Sequence, residues 1–173
     1  MRWALGSLLW IFFTAVLHAQ APASPQSGLL PDWDIRAILD EMSAHAGRLQ
    51  PMLDKIDAKA WAAKGASDTY ASQLQSSKDQ VRAIAGGAKA LAQNPEKLSL
   101  CLELYFRITG LEDMLASLED GIRRYQDPAL AQSLAALVAE NGANRNRFQT
   151  YIVNLATQRE QECAVMDQEA QRC

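Results

Sequence analysis

Histidine is nearly absent from this chain: there are two in 173 residues, His18 and His45. That scarcity excludes centres built on several imidazoles. A ferritin-like carboxylate-bridged metal pair takes a Glu-x-x-His motif from each of two paired helices. Here Glu41 and His45 stand four apart, and no second histidine is placed to complete the set. CxxCH is missing, so haem has no covalent attachment point. No G-x-S-x-G, P-loop or HExxH occurs, and His45 has no nucleophile set beside it. The chain therefore reads as non-catalytic, with no cofactor and no metal. Clustered basic charge is also lacking: 17 Lys and Arg are scattered among 20 Asp and Glu, for a net charge of −3. A nucleic-acid partner is excluded on that ground. No segment alternates with period two in β-branched residues, so strands are not expected.

The longest apolar run, Trp3 to Leu17, is shorter than the ~20 residues that span a bilayer. It follows a basic start, Met1-Arg2, and precedes the small-residue stretch His18 to Ala23. That is a signal-peptide layout. Residues 1–19 are assigned to the signal, with cleavage after Ala19, and the mature chain then has no membrane span. The protein is expected to be exported, to a periplasm or the medium. Residues 20–31, rich in Pro, Ser and Ala, read as a flexible linker.

Residues 32–173 read as an all-α domain, an up-down-up-down four-helix bundle with an over-long C-terminal helix. The first helix runs from Asp32 to about Ala63 on the seam Ile35, Ile38, Met42, His45, Leu49, Met52, Ile56. Pro51 lies inside it and predicts a kink, because proline cannot donate to the carbonyl of Gly47. The second starts at Ser67 or Asp68 and ends at Asn94, on Tyr70, Leu74, Ser77, Val81, Ile84, Ala88, Leu91. The third opens at Pro95 and carries the most regular seam: Cys101, Leu104, Ile108, Leu111, Leu115, Leu118, Ile122, Tyr125. Leu98, Leu102 and Phe106 widen its apolar face. The fourth opens at Asp127-Pro128, a cap followed by a first-turn proline. Its seam is Leu130, Leu134, Leu137, Asn141, Asn144, Phe148, Tyr151, Leu155, and it runs on through Cys163 and Met166. Its phase is kept across Asn141-Gly142, so one unbroken helix is expected.

Antiparallel pairing of the third and fourth helices about Gln126-Asp127 makes facing residue numbers sum to about 253. The fourth helix then overhangs its partners from about residue 158, by roughly 20 Å at 1.5 Å per residue. The same sum places Cys101 opposite residue 152, far from Cys163, so no intrachain disulfide is favoured. Cys173 is left as the candidate for an intermolecular one. Leu29, Leu30 and Trp33 are expected to dock on Cys163, Val165 and Met166.

Polar residues interrupt the seams at mid-height. Ser77 and Asn141 fall on one layer opposite Glu112, with Asn144 one turn on. Such a layer either fixes register or lines a small polar ligand site. His45 is read as a neutral core histidine, bonded to Tyr105 or to a backbone carbonyl. The candidate ligand-binding residues are thus Ser77, Asn141, Asn144 and His45. The carboxylates Glu112-Asp113 and Glu119-Asp120 are expected to form solvated pairs with Arg123 and Arg124.

Three short motifs stand out: KGA at Lys64 to Ala66 followed by Tyr70, RRYQ at Arg123 to Gln126, and the ending EAQRC. On these the chain resembles uncharacterised secreted helical-bundle proteins of bacteria. The resemblance implies an exported bundle and carries no activity. The expected function is protein–protein contact, with an unknown partner or by self-association, through the C-terminal helix. The alternative is a bundle binding a small molecule or metal at its polar mid-core.

Overall fold

A computed structural model describes residues 32–172. The signal segment 1–19, the linker 20–31 and Cys173 lie outside the described residues. So do Leu29 and Leu30 and the side chain of Trp33, and with them their expected docking.

Every regular element among the described residues is helical: α1 Asp32–Leu53, α2 Ala58–Trp61, α3 Thr69–Leu91, α4 Leu98–Tyr125, α5 Pro128–Ala139 and α6 Gly142–Arg172. A 3-10 turn, Ala62–Lys64, follows α2. α1 packs on α3, α3 on α4, and α4 on α5 and α6, while α6 returns to α1. The seams face inward as their spacing dictates. On α4, Cys101, Leu104, Ile108, Leu111, Leu115, Leu118 and Ile122 are all buried. Amphipathic helices bury such stripes because each apolar side chain removed from water contributes roughly 1.5–3 kcal/mol. Leu102 and Phe106 do not widen that face; Phe106 is 66% exposed.

Three boundaries differ from the sequence expectation. The first helix does not kink at Pro51 and continue; it stops at Leu53. The Asp54 N–H closes the last turn on Gln50, and Lys55 and Ile56 then donate to Met52 and Leu53 with the tighter three-residue spacing. Asp57 starts the short α2, its carboxylate accepting from the Ala60 N–H at 3.2 Å. The break turns Trp61 into the core, where it is fully buried.

The third helix starts at Leu98, not Pro95, because the Pro95 carbonyl is engaged elsewhere. It accepts from the Cys101 thiol at 3.2 Å and the Tyr151 hydroxyl at 3.0 Å. That meeting places Cys101 beside Tyr151, close to the expected pairing height.

The fourth helix is not continuous. α5 ends at Ala139 and α6 begins at Gly142. Glu140 and Asn141 donate to Leu137 and Val138, three residues back, and the regular pattern resumes with Arg145 N–H on Asn141 O. Asn and Gly are weak helix formers, and here side chains from α1 meet the broken turn.

One end of the helical assembly is closed by an aromatic cluster. Trp61 meets Tyr70 edge-on, with centroids 5.4 Å apart, and stacks on Tyr125 at 6.0 Å. The Trp61 indole N–H donates to Gln126 Oε1 at 3.2 Å, and the Asp57 N–H donates to the same oxygen at 3.0 Å. The Gln126 amide in turn donates to the Lys55 carbonyl at 2.8 Å. The Lys64 ammonium donates to the Tyr125 carbonyl. Gly65, at φ 87°, makes the left-handed turn that follows. The KGA-Tyr70 and RRYQ motifs are therefore one structural unit, brought together from about sixty residues apart.

Candidate functional site

The mid-height polar residues divide between two environments. His45, on α1, and Asn141, in the turn between α5 and α6, line one small cavity with Glu112 of α4. Its other walls are apolar, Met42, Ile108, Leu111 and Val138 among them. The cavity volume is about 20 Å³. His45 Nε2 lies 2.7 Å from the Leu137 carbonyl. A carbonyl only accepts, so Nε2 carries a proton and donates it. The bond gives a second donor to a carbonyl in the last turn of α5 that the Glu140 N–H already engages at 3.3 Å. Of the two expected partners for His45, the structure selects the backbone carbonyl.

Ser77 and Asn144 do not join this cavity. Ser77 is fully buried, but its hydroxyl turns back to the Gln73 carbonyl of its own helix at 2.9 Å. That local bond is always within a serine's reach in a helix. The Asn144 amide donates to Glu41 at 2.8 Å on an exposed flank. Ser77 therefore does not line the cavity, which Asn141 shares with His45 and Glu112.

Glu112 pairs with Arg145 of α6 across the helices, rather than with the arginines of its own helix. Arg123 does bridge Glu119 and Asp120 as expected. Arg48–Glu140 and Arg147–Asp34, both at 2.6 Å, add further links from α1 to the broken arm. Asn141 is 7% exposed, and its Oδ1 has no hydrogen-bond partner.

Sequence reasoning missed Ser43, which is buried and donates to the Ala85 carbonyl of α3 at 2.9 Å. Its position one residue after Met42 on the α1 seam was the available signal.

Cys101 and Cys163 are both free thiols, the first buried and the second exposed. Burial pushes the Cys101 thiol up to about 11, with the nearby Glu96 charge adding to the rise. The thiolate is the reacting form. Iodoacetamide at pH 8 should therefore alkylate Cys163 in the native chain and reach Cys101 only after unfolding. Peptide mass spectrometry checks this; native rates within tenfold of each other would contradict it.

The last part of α6 is a different kind of surface. From Thr157 to Arg172 every residue is exposed except the half-buried Glu162. At 1.5 Å per residue this tail is about 24 Å long. Val165 and Met166 are 54% and 59% exposed. They lie with Gln158, Gln161 and Glu162 along one shallow groove. The overhang begins where pairing heights place it.

No group of three or more His, Cys, Asp or Glu placed to hold a metal occurs among the described residues. No helix among them is long and apolar enough to cross a membrane. No family model, curated protein or solved structure matches the chain.

Proposed function

We propose that this chain is an exported, non-catalytic protein that acts through protein–protein contact made by the projecting end of α6. In this reading the helices form an up-down-up-down four-helix bundle whose fourth arm is α5 and α6 together. The signal-like N-terminus supports export to a periplasm or the medium. The observation that carries the contact reading is the unpacked helical tail, with Val165 and Met166 turned to solvent.

A helical stretch of this length is marginal in water on its own, and most helical stability in proteins comes from packing one face. The tail has such a face. Starting from the buried Ile152, the positions Ala156, Arg159, Cys163, Met166 and Ala170 continue at steps of four and three. This spacing is the seam of a coiled coil.

The stripe suits a second copy of the chain. Antiparallel pairing centred on Cys163 sets Arg159 of each copy opposite Asp167 of the other. Replacing Val165 and Met166 with Asp should abolish self-association in sedimentation velocity while leaving the melting temperature unchanged. A wild-type chain that stays monomeric at millimolar concentration, or a variant that still associates, would contradict the reading.

A bundle that binds a small molecule or metal is the second reading. One observation favours it, the unpartnered Asn141 Oδ1 beside the mid-core cavity. Pockets for organic ligands measure roughly 300–1,000 Å³. The cavity here admits only a ligand the size of a water molecule.

A further inference from the structure

We infer that the mid-core cavity is a binding site for one water molecule, held as a permanent part of the fold. The inference is independent of the tail. It starts from an imbalance of donors and acceptors. Asn141 is more than nine-tenths buried, lines the cavity, and has an Oδ1 with no partner. Buried polar atoms are almost always paired, and a water supplies the bond where protein does not. The other polar groups on the wall are engaged elsewhere. Glu112 is a carboxylate paired with Arg145, and His45 commits its Nε2 proton to the Leu137 carbonyl. Neither bonds Asn141 Oδ1, so the missing partner is a donor from outside the chain.

Size and charge then identify that donor. A water needs roughly 10–15 Å³ of cavity and two to four polar partners. The cavity is about 20 Å³ and offers His45, Glu112 and Asn141. Anything with two or more heavy atoms is too large unless the walls move. A cation of the same size, such as ammonium, would be drawn by uncompensated negative charge. The one carboxylate on the wall, Glu112, is already paired with Arg145. A neutral donor is left. Bound there, the water tethers the α5–α6 turn to α4 through Asn141 and Glu112. The irregular turn then has a contact that an unbroken helix would not need.

The test is water–protein cross-relaxation by NMR on the isotope-labelled full chain. Wild type should show long-lived water cross-peaks to the methyls of Ile108, Leu111 and Val138, with NOE and ROE of opposite sign. Asn141→Leu, which fills the space and removes the acceptor, should lose them without lowering the melting temperature. Asn141→Ser keeps an acceptor oxygen and should retain them, which decides the matter if the leucine variant does not fold. Absence of the cross-peaks in wild type, or their persistence in Asn141→Leu, would overturn the inference. So would their replacement by ammonium signals on addition of ¹⁵N-ammonium.

Discussion

Trp61→Ala should unfold this protein at a much lower urea midpoint, with a loss of about 3–5 kcal/mol, as buried aromatic truncations give. Trp61 is fully buried, contacts two tyrosine rings, and bonds Gln126, which also holds the backbone of the α1–α2 turn. Removing it leaves a void and two unclamped elements. A companion substitution approaches the same contact from the other side. An added Cβ on Gly121 would stand 2.6 Å from Trp61 Cζ3. In an exposed helix Gly→Ala gains roughly 1 kcal/mol. Here overpacking against the indole, about 1–3 kcal/mol, should reverse the sign. The two changes act on one contact, so they should not be additive. A midpoint shift worth less than 1 kcal/mol for Trp61→Ala would mean that the aromatic cluster does not close the core.

Leu111→Ala should cost about 2–5 kcal/mol, read as a lowered denaturation midpoint at unchanged slope. Leu111 is buried at the middle of the α4 seam and forms part of the cavity wall. The existing space beside it would be enlarged, and cost rises with the volume left unfilled. A change under half a kcal/mol would show that this wall already collapses freely.

How much of this was legible in the sequence can be seen residue by residue. The α4 seam from Cys101 to Ile122 was, because an unbroken three-four spacing has one folded use. So was the overhang of α6, which follows from counting residues on paired helices. The helix breaks were not. Pro51 announces a disturbance, but whether the helix bends or ends depends on whether Trp61 gains more by turning inward. Asn141-Gly142 weakens a helix without saying that His45 will bond a carbonyl at the break. Phe106 is apolar enough for core, yet no helix among the described residues covers that flank of α4. Of the candidate site residues, His45 and Asn141 meet at one cavity. Ser77 does not line it; its hydroxyl bonds its own helix's carbonyl, a partner that no long-range pattern displays. The aromatic cluster was hidden because KGA, Tyr70 and RRYQ are distant in sequence, and only the turn after Leu53 brings them together.

The contact role of the α6 tail is tested most directly by hydrogen exchange, followed by mass spectrometry across α6 at micromolar and at millimolar chain concentration. Amides through Leu155 should be protected equally at both. Those from Thr157 onward should exchange rapidly in the dilute chain and gain protection on concentration. Protection of the tail already at micromolar concentration in a monomeric chain, or none at either concentration, would contradict the role assigned to it.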